Sequence, residues 1–175
     1  MLKLILSGYG GQGMLLCGQL LAYASMIEGK EVTWFPTYGA EVRGGAANCS
    51  VVISDKPVGS PVIDKADALI ACSQPSMDKF HDMVSDGGLV LYHSAIVKNV
   101  EKKPGVRYVG VDFSALANTI EFPKAANMVV LGALGSLLNV SETAIAEALK
   151  YKFSGMRPGI LELNEKAVEL GRVAV

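Results

Sequence analysis

The chain is poor in the residues that build metal centres and redox clips. Its 175 residues include three cysteines and two histidines. Cys17, Cys49 and Cys72 are odd in number and far apart, and no C-x-x-C occurs. A four-cysteine zinc site or iron–sulfur cluster held by this chain alone is excluded by count. Free, buried thiols are expected, in the reducing cytoplasm. Charge is scarce too: 19% of residues are charged, and the net charge is −1. Lys and Arg are spread rather than clustered, so the broad basic field that nucleic acid requires is missing. No apolar run reaches the roughly 18 residues of a membrane span. The apolar part of Met1 to Gly8 is too short for a secretory signal, so no cleaved leader is expected.

What the chain does have is apolar residues and glycine. Half of its residues are hydrophobic, 19 are glycine, and mean hydropathy is +0.33. The length suits one domain, 1–175, able to bury a core without staples. So apolar a composition without a membrane span suggests a surface covered by partner subunits. The apolar runs Leu2 to Leu6, Val51 to Ile53, Ala68 to Ala71, Leu89 to Tyr92 and Val106 to Val111 predict buried strands, and Glu31 to Pro36 a further one. Helical spacing predicts helices over Gly13 to Ile27, Pro75 to Val84, Lys124 to Leu138, Ser141 to Tyr151 and Ile160 to Leu170. Ser54 to Pro61 and Lys98 to Gly105 read as surface loops or hairpins. This alternation predicts an α/β fold: a Rossmann-like open, mainly parallel sheet with helices on both faces.

Chemistry concentrates where the first strand gives way to the first helix. Ser7-Gly8-Tyr9-Gly10-Gly11-Gln12-Gly13 carries four glycines in six positions. Such a turn leaves backbone bare at a helix N-terminus, where free N–H groups and the helix dipole attract an anion. Gly8, Gly10 and Gly13 fit the dinucleotide spacing G-x-G-x-x-G. That fingerprint also wants an acid at the end of the second strand, and Pro36, Thr37 and Tyr38 stand there instead. A nicotinamide or flavin cofactor is therefore disfavoured. The turn serves either to cradle an anion or only to pack strand against helix. A second constellation follows the second strand: Tyr38-Gly39-Ala40-Glu41-Val42-Arg43-Gly44-Gly45-Ala46. Arginine is the natural fork for phosphate or carboxylate, and glycines beside it admit a ligand or another chain. Loops after the first two strands leave a doubly wound sheet at one edge, so Gly10 to Gly13 and Arg43 are expected to share a cleft. The competing view is an internal Glu41–Arg43 pair that only fixes a loop.

These two motifs, with Ser50-Val51-Val52-Ile53-Ser54, then Asp67 to Gln74 with Lys79-Phe80, then Asn127 to Leu134, resemble the gamma subunit, or gamma domain, of the 2-oxoacid:ferredoxin oxidoreductases. The resemblance covers nearly the whole chain in order. It implies a holoenzyme that oxidatively decarboxylates a 2-oxoacid with coenzyme A, giving acyl-CoA, CO₂ and reduced ferredoxin. It also implies alpha and beta subunits that bind thiamine diphosphate with Mg²⁺, and a ferredoxin-type subunit or ferredoxin carrying [4Fe-4S] clusters. On this resemblance the chain encloses the active site rather than carrying those groups, is inactive alone, and has no catalytic or metal-binding residue of its own. Gly10, Gly11, Gln12, Gly13, Arg43 and Gly44 are the residues expected to meet an anionic group of coenzyme A or a partner subunit. The motifs are more similar to the 2-oxoglutarate or branched-chain type than to the pyruvate type, with 2-oxoglutarate favoured.

Other residues carry less. His81, at a polar helix end, is expected to be solvated; His93 follows a strand at a possible ligand edge but is expected to be structural or solvated, since no carboxylate or cysteine partner lies near it in sequence. Cys72 reads as a buried neutral thiol because no base stands beside it. Trp34, Phe35 and Tyr38 read either as core or as an aromatic interface anchor, and the apolar composition favours the anchor. Two other functions remain open on these residues: a stand-alone nucleotide- or coenzyme-binding regulatory module, and a cysteine hydrolase acting through Cys72.

Overall fold

The structure, a computed structural model, describes residues 1–37 and 46–175. Its strands are β1 (Leu2–Tyr9), β2 (Glu31–Thr37), β3 (Ala46–Ser54), β4 (Ala66–Ala71), β5 (Val84–His93) and β6 (Arg107–Val111). Its helices are α1 (Met14–Ile27), α2 (Gln74–Phe80), α3 (Phe113–Thr119), α4 (Ala126–Leu138), α5 (Glu142–Phe153) and α6 (Ile160–Arg172). Short 3₁₀ turns at His81–Met83 and Pro123–Ala125 follow α2 and precede α4.

The six strands form one sheet in the order β2-β3-β1-β4-β5-β6. The pairs β1–β4, β4–β5 and β5–β6 are parallel, while β3 is antiparallel to both β1 and β2. The mainly parallel α/β sheet expected from the sequence is thus present, with one antiparallel insertion. Its cause is chain length. Only residues 38–45 join β2 to β3, and a parallel crossover needs a dozen or more residues. The short connection forces neighbouring strands to run in opposite directions. With β3 opposed to both, β1 and β2 run the same way and end at the same edge, where Tyr9 pairs with Ala46 and Thr37 with Asn48.

Side-chain alternation along the strands feeds two cores. Leu4, Leu6, Val51, Ala68, Ile70 and Leu91 face the side that carries α1 and α4. Ile5, Val52, Leu69, Ala71 and Val90 face Met77 and Phe80 of α2, with Val97 beside them. Side-chain caps start three helices. Ser73, Asp112 and Ser141 accept the backbone N–H groups of Ser76, Ala115 and Ala144 at 3.3, 2.9 and 3.3 Å. The Asp112 cap starts α3, a helix the sequence reading missed because seven residues are too few to show a period. The segment expected as one helix over Pro75 to Val84 splits into α2 and a 3₁₀ turn, and Val84 opens β5.

Helix α4 is the buried centre of the thicker layer, with every residue from Asn127 to Gly135 out of solvent. It packs most closely on α6. Two glycines permit this. A Cβ at Gly132 would fall on the carbonyl of Val168, and one at Gly171 would fall on the carbonyl of Val129. Backbone meets backbone reciprocally, so neither helix has room to shift for an added methyl. Gly171→Ala and Gly132→Ala are each expected to cost about 2–4 kcal/mol, since the clash is with main chain rather than a movable side chain. Gly59→Ala, where nothing lies within 4 Å, should stay within about 0.5 kcal/mol of the parent. Urea unfolding of the three variants checks this ordering.

Candidate functional site

The glycine turn emerges from β1 at the edge where parallel strands end. Gly10 and Gly11 are exposed, while Gln12 and Gly13 are half-buried. Gly11 has φ 93° and Gly13 φ 73°, conformations that favour glycine. A Cβ at Gly13 would also collide with Asn127, whose side-chain amide donates to the Gly13 carbonyl at 3.4 Å. Gly13 is the N-cap of α1 and offers no side chain to cap it. Helix α4 likewise begins at Ala125 without a side-chain cap.

Gln12 has a different task from its neighbours. Its Oε1 accepts the Tyr9 N–H at 2.6 Å, and its Nε2 donates to the Cys72 carbonyl at 3.0 Å. Both ends of the amide are engaged, so it ties the turn to the end of β4. A Cβ at Gly8 would strike this same amide at 2.5 Å, which explains why the first glycine of the motif is there.

A hollow of about 210 Å³ lies beyond the turn. Gly11, Gln12, Met14 and Cys72 form one wall, His93 and Ser114 a second, and Lys124 and Asn127 a third. The C-terminal ends of β1, β4 and β5 converge here, as ligand clefts in open α/β sheets do. His93 is 3% exposed, its Nε2 lies 2.8 Å from the Ser114 Oγ, and its Nδ1 has no partner. Burial pushes its pKa down, against a smaller upward pull from Asp112 and with a further push down from Lys98. The imidazole is therefore neutral at pH 7. Lys124 is exposed at the mouth. The start of α1, with no side-chain cap, and the Lys124 ammonium are the features of the hollow that suit an anion.

The thiols are inert. Cys17, Cys49 and Cys72 are free and buried. Burial raises Cys72 and Cys49 to about 12, and Cys17 well above its usual value. A neutral thiol is a poor nucleophile, so Cys72 matches the buried thiol expected from sequence and not a hydrolase. Among the described residues, no group of three His, Cys, Asp or Glu is placed to hold a metal. No helix among them is long and apolar enough to cross a membrane.

The profile of one protein family, pyruvate ferredoxin/flavodoxin oxidoreductase, matches residues 3–174. The chain belongs to this family. Its relatives include subunit VorA of the ketoisovalerate oxidoreductase of Methanothermobacter thermautotrophicus, 42% identical over 95% of this chain. The match spans only 35% of VorA, so the chain covers about a third of that relative's length. Subunit KorC of the 2-oxoglutarate synthase of Methanocaldococcus jannaschii is 40% identical over 82% of this chain and 79% of its own. A solved gamma subunit of a keto/oxoacid ferredoxin oxidoreductase from Geobacter sulfurreducens superposes with a TM-score of 0.85 at 31% identity, covering 99% of this chain and 98% of that one. The 2-oxoglutarate:ferredoxin oxidoreductase of Magnetococcus marinus, solved with 2-oxoglutarate, coenzyme A and succinyl-CoA bound, gives 0.90 at 28% identity over 99% of this chain and 30% of that one.

Within this family domain the structure brings Gly11 and Gln12 to the hollow, with Gly10 and Gly13 on the same turn. Glu41, Arg43, Gly44 and Tyr38 lie outside the described residues. His81 departs from expectation: its side chain is 12% exposed and its Nε2 lies 2.8 Å from the Tyr108 hydroxyl, so it is a packed hydrogen-bonding group and not a solvated one. Trp34 is partly buried against the α1 layer, while Phe35 is 45% exposed. The sequence reading gave no role to Ser114, Lys124 and Asn127. Only His93 was discoverable, as the residue ending a parallel strand at the shared edge.

Two measurements check this account. His93 should titrate below the roughly 6.5 of a free imidazole, read by NMR. Because its folded pKa is depressed, the unfolded chain binds the proton first, so stability should fall as pH drops below about 6.5. His93→Gln should flatten that dependence. In the native chain, none of the three cysteines should react with a thiol reagent at pH 8, and all three should react after denaturation.

Proposed function

We propose that this chain is the gamma component of a 2-oxoacid:ferredoxin oxidoreductase in the cytoplasm. The assembly would convert a 2-oxoacid and coenzyme A to acyl-CoA and CO₂, passing the electron pair to ferredoxin. The observation that carries this reading is the end-to-end family match, residues 3–174, together with near-complete mutual coverage of a solved gamma subunit. The partners are alpha and beta subunits binding thiamine diphosphate and Mg²⁺, and a ferredoxin-type subunit or ferredoxin with [4Fe-4S] clusters. Thiamine diphosphate supplies the carbanion chemistry there, and this chain positions and shields it.

The substrate proposed is 2-oxoglutarate, in keeping with the KorC relative. A branched 2-oxoacid is the second reading, favoured by the 42% identity to a ketoisovalerate oxidoreductase subunit. Gly10, Gly11 and Gly13 offer bare backbone at the uncapped start of α1, and Lys124 adds a cation at the mouth of the same hollow. These features support contact with an anionic group of coenzyme A. Arg43 and Gly44 are proposed to join them from the neighbouring loop. Gln12 holds the turn in shape instead of touching the ligand.

Affinity purification of the chain from its host without oxygen tests the assembly. Thiamine-binding and iron–sulfur partners should come with it, and the preparation should reduce a dye only when a 2-oxoacid and coenzyme A are both present. Rates with 2-oxoglutarate and 2-oxoisovalerate then choose the substrate. A colourless, partner-free protein that binds a nucleotide on its own would replace this reading with that of a regulatory module.

A further inference from the structure

Among the described residues, one face of the sheet is only half covered. The register places Phe35, Ser50, Ile5, Leu69 and Val90 in a single row across β2, β3, β1, β4 and β5. Helix α2 packs on β1 and β4, and under it Ile5, Leu69 and Val90 are at most 3% exposed. Past β1 no described helix covers the sheet on this side. Ser50 is half-buried, and Phe35 at the end of the row is 45% exposed. No residue of β2 is buried, in contrast to the five of six in β4. Among the described residues β2 is also the sheet's edge, with no strand on its outer side. Edges of this kind are covered or blunted in stable proteins.

The open part of this face holds a hollow of about 180 Å³ lined by Phe35, Thr37, Asn48 and Ser50 from β2 and β3, with Val62 and Met83 at its sides. Val62 is 69% exposed. Every lining residue is uncharged, and the exposed Asp64 and Lys65 follow Ile63 of its wall in the chain. An uncharged aromatic and aliphatic hollow of this kind is the composition of the centre of a protein–protein contact.

The relatives indicate what fills it. The unit formed by this chain is about a third of the VorA chain, yet it accounts for nearly all of the free-standing Geobacter gamma subunit. What is joined by a peptide bond in the one must be held by a surface in the other. We infer that the β2–β3 face, centred on Phe35 and Val62, is the docking surface for the protein equivalent to the remaining two-thirds or so of the VorA-type chain. That partner presents an apolar side chain to the hollow, with a polar group that Asn48 and Ser50 can meet. The inference rests on the assembly proposed above and adds the face that makes it.

The test is co-expression of the chain with its thiamine-binding partners, followed by measurement of complex affinity. The doubly substituted Phe35→Asp, Val62→Asp chain should bind at least about tenfold more weakly, since a carboxylate would be buried without a partner. Its isolated unfolding midpoint should match the parent's, because both side chains are exposed in the isolated chain. Phe35→Ala with Val62→Ala, which adds no charge, should weaken the complex in the same direction even if the aspartate variant folds poorly. Val173→Asp, 71% exposed at the end of α6, should bind as the parent does. If the parent assembles and both double variants assemble with equal affinity, the face is wrong and the assembly stands. If the parent itself fails to assemble, both fall.

Discussion

The contact of α4 with α6 is the constraint on which the site depends. Gly132 and Gly171 let two backbones touch, each against a carbonyl of the other helix. That fixes the position of α4 along its axis and so places Asn127, at its first turn, against the carbonyl of Gly13. The glycine turn is thus braced on two sides, by Asn127 from α4 and by the Gln12 amide reaching the end of β4. The bare backbone at the start of α1 is held still by two side-chain amides that also line the hollow. A rigid frame around an exposed turn is what preorganised anion binding requires, because the ordering cost is met in folding and not on binding.

The same logic accounts for the glycines of the motif, which are not interchangeable. Gly8 makes room for Gln12, Gly13 adopts a left-handed conformation under Asn127, and Gly11 adopts one in open space. The pattern that resembles a dinucleotide fingerprint therefore encodes a locked turn. Its chemistry is in the main-chain N–H groups and the lysine nearby. His93 adds a buried neutral group on the opposite wall, poised to titrate only when acid overcomes the cost of charging it out of water.

Much of this was legible in the sequence, for physical reasons that differ by element. Long apolar strands and helices announce themselves by period, so five helical segments and all six strands were located, although the apolar runs caught only the later parts of β3 and β5. α3 was invisible because its seven residues are held by one Asp112 cap and by packing. The antiparallel β3 was not inferred, though the eight residues between the second and third strands already excluded a crossover. At the site, the turn was found through its glycines and the neutral Cys72 through its lack of a base. Lys124, Asn127 and Ser114 were not found. They reach the hollow from α3, the 3₁₀ turn Pro123–Ala125 and the start of α4, more than a hundred residues beyond the turn, and only tertiary packing brings them there. His81 was misjudged because its partner, Tyr108, lies on a distant strand.

The insertion of β3 between β1 and β2 has a consequence for how such a chain can diverge. Both stems of the β2–β3 connection are held by complete ladders, Thr37 opposite Asn48 and Ala46 opposite Tyr9. Residues added between them lengthen a closed loop without altering the register of any strand. Doubling such a loop costs only about 0.6 kcal/mol in closure entropy. The connection beside the glycine turn can therefore vary in length and composition at little cost to folding, while the turn itself, braced on both sides, cannot.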